Sequence, residues 1–177
     1  MERRRLVQLR CWLALLDHGK PMNDWDKRFI DLASHVSTWS KDPSTRVGAV
    51  LVGLDREVLS MGYNGFPRGI ADTPERLNDR PTKYELVVHA EINAIMNAVR
   101  NGICTRHSTM YVIAHDQKTG RGWGGAPCIR CAVETVQAGV EVVIVPTPKD
   151  MPDSWRESCE KGAAVLREAG VLYKEFE

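Results

Sequence analysis

A β-hairpin pattern followed by alternating helical and β patterns restricts this chain to a mixed sheet between helices. Two β-rich runs, 47–54 and 58–63, are joined by the polar turn Asp55-Arg56-Glu57. Helical spacing of apolar residues precedes them over 24–39 and ends before Asp42-Pro43. Further along, helical patterns at 89–100, 128–137 and 155–168 alternate with β patterns at 109–114, 140–145 and 171–176.

Two stretches carry turn signals instead of periodicity. Residues 64–84 contain repeated Gly and Pro and few apolar residues, which predicts a surface loop with at most one short helix. Residues 116–126 contain four glycines and are predicted to be a loop.

Length and charge limit the class of protein. A chain of 177 residues accommodates one domain, which we place at 22–177. Residues 1–21 are an extension, either an amphipathic helix or the product of an early start site, since Met22 is a second plausible start. Lys and Arg number 24 against 23 Asp and Glu, a net charge of +1 that argues against a nucleic-acid partner.

Cysteine usage and hydropathy indicate a cytoplasmic protein. Five cysteines, an odd number, without an evident secretion signal make a disulfide framework improbable and favour a reducing compartment. No apolar run approaches the ~20 residues that a bilayer requires, so no membrane association is expected.

Two short motifs at predicted helix starts suggest a metal centre. They are His89-Ala90-Glu91 and Pro127-Cys128-Ile129-Arg130-Cys131. One imidazole (His89) and two thiolates (Cys128 and Cys131) give Zn²⁺ three ligands and leave a fourth position for water, as in catalytic zinc sites. Glu91 is then free to move protons, and the order His-x-Glu, Pro-Cys-x-x-Cys is the signature of zinc nucleobase deaminases. The alternative is a structural zinc-binding scaffold without catalysis.

Four further motifs narrow the family. They are Ser40-Lys41-Asp42-Pro43-Ser44-Thr45-Arg46-Val47-Gly48-Ala49-Val50, Gly62-Tyr63-Asn64-Gly65-Phe66-Pro67-Arg68-Gly69, Asp79-Arg80 with Lys83-Tyr84, and Val88-His89-Ala90-Glu91-Ile92-Asn93-Ala94-Ile95. In this order they resemble the deoxycytidylate (dCMP) deaminase family. The resemblance implies a three-layer α/β/α sandwich with a five-stranded mixed sheet, and hydrolysis of dCMP to dUMP and ammonia for thymidylate synthesis. A tRNA adenosine deaminase, a riboflavin-pathway deaminase and a deaminase of 5-modified dCMP are the alternatives.

The resemblance also implies substrate-binding residues. Asn64 would hold the sugar, although it could equally be a left-handed turn residue before Gly65. Val47 would pack against the pyrimidine, beside Ala90 of the zinc motif. The candidates for the phosphate are cations and a hydroxyl near the first strand and in the glycine-rich loop: Lys41, Thr45, Arg46 and Arg68. Arg130 would add positive potential near the thiolates.

An insert and a set of expected effectors complete the prediction. Residues 114–126 separate the third strand from Pro127, where family members pass directly into the cysteine motif. Arg121 and Trp123 in this insert could form a lid on glycine hinges, or the insert could be a plain surface excursion. Relatives that form hexamers or dimers and respond to dCTP with Mg²⁺ and to dTTP suggest an effector site at Tyr63, Gly65 and Arg68.

Overall fold

The computed structural model describes residues 23–176, so the predictions for residues 1–21 lie outside the described part of the chain. The helices are α1 (Asp24–Ser37), α2 (Pro74–Asn78), α3 (Arg80–Leu86), α4 (Ala90–Arg100), α5 (Ile129–Gln137) and α6 (Asp153–Glu168). The strands are β1 (Thr45–Val52), β2 (Val58–Tyr63), β3 (Thr109–Asp116), β4 (Gly122–Trp123), β5 (Val142–Pro146) and β6 (Leu172–Phe176).

The strands form one mixed sheet in the order β2-β1-β3-β5-β6, with β4 added beside β3. Strand β1 is antiparallel to both of its neighbours, β2 and β3, and its pairing with β2 is the predicted hairpin. Strands β3, β5 and β6 run parallel, and their crossovers contain α5 and α6. Thus an antiparallel half and a parallel half meet at β3.

Each face of the sheet packs against helices. On one face, Phe29, Ile30 and Ala33 of α1 pack against Val50 and Tyr111. The other face is covered by α4, α5 and α6, and its buried cluster includes Leu51, Met110, Val143, Ala94, Ala132 and Leu166. The close approach of α1 to β1 depends on Gly48, since a Cβ on this residue would lie 1.9 Å from the Ala33 carbonyl oxygen of α1. The three-layer prediction is confirmed.

Most predicted elements are present, with shifted ends. The first helix ends at Ser37, and β1 begins at Thr45 and ends at Val52. The stretch 64–84 differs from the prediction because it contains both α2 and most of α3. Thr73 and Asp79 cap these helices, and a proline follows each cap, so the helix-start signals were present in a segment with too few apolar residues to show periodicity. Residues 122–123 of the predicted loop are strand β4.

Within residues 23–176, no helix combines the length and the apolar character that crossing a membrane demands.

Candidate active site

Three potential metal ligands meet where two helices begin. His89 is the residue before α4, Cys128 is the residue before α5, and Cys131 lies in the first turn of α5. The Cys128 Sγ lies 3.5 Å and the Cys131 Sγ 3.3 Å from His89 Nδ1, and all three ligand atoms are within 4.8 Å of one another. A tetrahedral Zn²⁺ with bonds of about 2.3 Å to sulfur and about 2.1 Å to nitrogen separates such ligands by about 3.6 Å. The three residues therefore fit a zinc site with one position left open.

Helix α6 holds the cysteine segment in place. Gly162 of α6 packs against Pro127, and a Cβ at this glycine would lie 2.0 Å from the Pro127 carbonyl oxygen. The Ile129 N–H donates to Ser158 Oγ at 3.3 Å. These contacts orient the first turn of α5 and with it both sulfurs.

Glu91 is a buried carboxyl beside the ligand cluster. It lies in the first turn of α4 and is 5% exposed. Burial raises the pKa of Glu91, while the positive charge of His89 and a hydrogen bond with Cys131 oppose the shift. A buried carboxyl beside the ligand cluster is placed to accept a proton and then release it.

The two thiols shift each other's pKa in opposite directions. The hydrogen bond with Cys131 lowers the pKa of Cys128 to about 4, and a further hydrogen bond with His89 acts in the same direction. The same hydrogen bond, together with burial, raises the pKa of Cys131. Zinc takes thiolates as ligands, so its binding would displace the remaining proton.

A pocket extends from the ligand cluster over the sheet. His89, Glu91 and Cys128 line it together with Val47 and Ala114 of the sheet. Two indole rings, those of Trp123 and Trp155, form an adjoining wall. The centroid of the Trp155 ring lies 5.9 Å from that of His89 and 6.4 Å from that of Trp123. Polar side chains line a further part, namely Asp42, Ser44, Thr45, Asn64, Lys83 and Tyr84. A flat ring over Ala114 would thus meet apolar walls and a metal site.

Comparison with known proteins supports a zinc site at these residues. Residues 23–147 match the cytidine and deoxycytidylate deaminase zinc-binding region. The chain belongs to this family. Deoxycytidylate deaminases of Mus musculus and Homo sapiens are each 36% identical over 160 residues, which cover 86% of this chain and 80% of theirs. A protein of Aliivibrio fischeri described as an uncharacterized deaminase is 34% identical over 152 residues, covering 85% of this chain and 92% of its own.

A solved structure shares the fold of this deaminase. The dCMP deaminase of cyanophage S-TIM5, crystallised with dCMP and dUMP, aligns with a TM-score of 0.62 at 22% identity. The alignment covers 88% of this chain and 99% of the phage chain. The likeness agrees with the three-layer α/β/α sandwich that the sequence predicts.

Asn64 links the pocket to the start of β1. Its Oδ1 accepts from the Val47 N–H at 2.8 Å, and its Nδ2 donates to the Thr45 carbonyl at 2.9 Å. Among the described residues, the non-glycine positions with positive φ are Arg56 and His107, so the alternative of a left-handed Asn64 is wrong. Thr45, Val47 and Asn64 line the pocket.

Several predicted residues lie away from the pocket wall. The location of Arg46 differs from the predicted one. Because side chains alternate along a strand, Arg46 lies on the α1 face of β1, whereas Thr45 and Val47 lie on the pocket face. Lys41 is exposed and pairs with Asp72 at 3.0 Å. Ala90 is fully buried at the start of α4. The exposed Arg130 lies between the two cysteines.

The insert is a wall of the pocket in this structure. Trp123 is 7% exposed and belongs to β4, whose two residues pair with β3. Arg121 is exposed and pairs with Asp150 at 3.3 Å, and it is not part of the pocket wall. The expected lid is thus a packed strand in this conformation.

The residues expected to bind effectors lie outside the pocket wall. Tyr63 is 40% exposed at the end of β2, and Gly65 forms a bridge with Val88. Arg68 is exposed and donates to Asn97 Oδ1 at 2.6 Å.

Lys83 is a pocket residue to which the sequence prediction gave no role. Its Nζ donates to Asp42 Oδ1 at 3.0 Å and to Ser44 Oγ at 3.1 Å, and its side chain is 10% exposed. Asp42 Oδ1 also accepts the N–H groups of Ser44 and Thr45. This network fixes the segment that leads into β1 and places a cation beside the substrate space.

Proposed function

We propose that this deaminase hydrolyses dCMP to dUMP and ammonia, and so supplies dUMP for thymidylate synthesis. The observation that carries the proposal is the buried Glu91 carboxyl next to the His89, Cys128 and Cys131 cluster, in one pocket with an apolar slot for a ring. The names of the mouse and human relatives and the dCMP and dUMP bound to the phage enzyme support the choice of nucleotide.

The proposed mechanism assigns a role to each side chain. His89, Cys128 and Cys131 would hold Zn²⁺, which supplies Lewis acidity for activating water at neutral pH. Glu91 takes a proton from the attacking water and delivers it to ring nitrogen N3 while C4 gains the oxygen. Glu91 then takes the second proton of that water from the new C4 hydroxyl and transfers it to the departing amino group, so ammonia leaves and a carbonyl remains at C4.

The phosphate is assigned to the polar part of the pocket. Lys83 supplies a positive charge there, and Ser44, Thr45 and Tyr84 supply hydroxyl groups. A phosphate oxygen accepts strong charge-assisted hydrogen bonds from such groups. These residues replace Lys41, Arg46 and Arg68 as the proposed phosphate ligands.

The test is an ammonia-release assay over a substrate panel. The panel comprises dCMP, CMP, 5-methyl-dCMP, 5-hydroxymethyl-dCMP, dCTP, deoxycytidine and a tRNA anticodon stem-loop. We expect the highest kcat/KM for dCMP. A higher kcat/KM for a 5-modified dCMP or for the stem-loop would identify that molecule as the substrate instead of dCMP. Absence of ammonia release from every member of the panel would contradict the proposal.

Glu91→Gln separates an enzyme from a zinc scaffold. The amide keeps the size of the side chain but cannot carry the proton, so we expect kcat to fall by about 10²- to 10⁴-fold. Zinc content, measured by atomic absorption, should stay unchanged. Equal turnover by the variant and the parent protein would contradict the role of Glu91.

Regulation and assembly are proposed on the family resemblance. dCTP with Mg²⁺ should sharpen the dCMP saturation curve and dTTP should suppress turnover, with Tyr63, Gly65 and Arg68 at the effector site. Light scattering should show a hexamer or a dimer. A hyperbolic curve that responds to neither nucleotide would remove the effector site from the proposal.

A further inference from the structure

The indole N–H of Trp123 is a buried donor without an acceptor among residues 23–176. The residue is 7% exposed, and its buried cluster contains Ala114, Met151 and Cys159, with Trp155 packed against it. None of these side chains carries an oxygen. Buried N–H groups in folded proteins nearly always have a partner, because leaving one unpaired is destabilising.

The backbone around Trp123 keeps the ring in place. Trp123 pairs with Ala114 of β3, and the next residue, Gly124, touches Pro146 so closely that a Cβ would lie 1.8 Å from its carbonyl oxygen. The Gly125 N–H donates to the same carbonyl at 2.9 Å. The backbone on both sides of the indole is therefore fixed, and because the indole nitrogen itself is covered, an acceptor reaches it only when a neighbouring side chain moves aside.

The space beside Trp123 is the substrate pocket. Val47, Ala114 and Trp123 occupy paired positions on β1, β3 and β4, and all three line the pocket. Neighbouring strands lie about 4.8 Å apart, so Val47 and Trp123 flank the small Ala114 over about 10 Å. A pyrimidine nucleotide over Ala114 would place its oxygens beside the indole ring.

We infer that Trp123 is a specificity-determining residue whose indole N–H donates a hydrogen bond to an oxygen of the bound nucleotide. The inference rests on the proposed function, because that function puts a nucleotide in this pocket. The base carbonyl, the sugar and the phosphate all offer oxygen acceptors. The donor belongs to the insert 114–126, so this contact would be specific to chains that carry such an insert.

The direct test is nuclear magnetic resonance of the zinc-loaded protein with ¹⁵N-labelled tryptophan. The product dUMP is the probe because it is not consumed, and the Trp123 signal is assigned by its absence in Trp123→Phe. We expect this signal to move downfield on titration, while that of the exposed Trp39 stays in place. An unchanged Trp123 signal at saturating dUMP, with saturation shown by product inhibition, would overturn the inference.

Titrations with two ligands, deoxyuridine and dUMP, identify the acceptor. If deoxyuridine moves the Trp123 signal as dUMP does, the acceptor is on the base or sugar. If only dUMP moves it, the acceptor is a phosphate oxygen, and either result supports the donor role. Trp155→Phe is the matched control, since it removes ring area from the same cluster without removing the Trp123 N–H. It should leave the downfield shift in place.

Kinetics provide an independent measure. Trp123→Phe keeps an aromatic ring but lacks the donor, so we expect kcat/KM for dCMP to fall on the order of tenfold, mainly through KM, with zinc content unchanged. A value within twofold of the parent protein would contradict the inference. Turnover of dCMP by the parent protein tests the proposed function separately, so a silent Trp123 signal in an active enzyme refutes only the role of Trp123.

Discussion

Lys83 and Asp42 form an ion pair that is nearly removed from water. Their side chains are 10% and 6% exposed, and the charged atoms are 3.0 Å apart. Burial of two charges is costly, but here Asp42 Oδ1 also accepts two backbone N–H groups and Lys83 also donates to Ser44. The pair therefore serves to position the segment before β1.

Lys83→Met should destabilise the protein because it leaves the Asp42 carboxylate buried without its cation. We expect the free energy of unfolding to fall by about 3 kcal/mol, measured by chemical denaturation. The double variant Asp42→Asn with Lys83→Met should recover part of this loss, since no uncompensated charge remains. Equal loss in the single and double variants would contradict the pairing.

At the residue scale, the metal ligands and Glu91 could be predicted because their chemistry is local to two short motifs. Lys83 could not, because its partner lies 41 positions away in the sequence and its own segment looked like surface. Arg46 was misplaced although a signal was available. Once Val47 faces the pocket, the alternation of a strand directs its neighbour to the other face.

At the element scale, β2 and α4 approach each other through Gly62. A Cβ on Gly62 would lie 2.3 Å from the Ala94 nitrogen and 2.5 Å from the Ala90 carbonyl oxygen. Because α4 begins immediately after His89 and contains Glu91, this contact sets the position of both residues relative to the sheet.

Gly62→Ala should push α4 away from the sheet. We expect about 2 kcal/mol of destabilisation, as for other overpacked contacts, together with lower turnover because Glu91 moves with the helix. Gly65→Ala is the control, since its added Cβ would meet only Tyr63 Cε2, at 3.9 Å. Thermal unfolding and dCMP turnover of the two variants measure the difference, and similar behaviour would argue against the close approach.

The order of helices and strands could be predicted because periodicity depends on burial. Periodicity does not reveal the short helices α2 and α3 or strand β4, since they have few buried positions. Leu77 and Lys83 are the buried residues of the two helices, too few for a repeating pattern. Strand β4 has two residues and pairs with β3 across the turn 116–121, so it is too short to show the alternation of a strand.

At the scale of the whole molecule, the metal ligands connect the two halves of the sheet. His89 follows the antiparallel hairpin in the chain, and Cys128 and Cys131 follow β3 and lead into the parallel half. A bound ion would therefore stabilise the whole domain as well as take part in the proposed reaction.

Removal of zinc with a chelator should lower both activity and stability. With free zinc a thousandfold above its Kd, binding stabilises the folded state by about 4 kcal/mol, which the stripped protein would lose. Thermal unfolding with and without the chelator measures this, and added Zn²⁺ should restore both properties. His89→Ala should respond far less to the chelator, and an equal response would contradict the role of His89.

The distance along the chain between His89 and the two cysteines also bears on how the protein matures. His89 joins the two cysteines only when both helix starts are in place, so the complete three-ligand site requires a folded chain. Metal uptake would then report the completion of folding, and a cell short of zinc would accumulate assembled but inert copies.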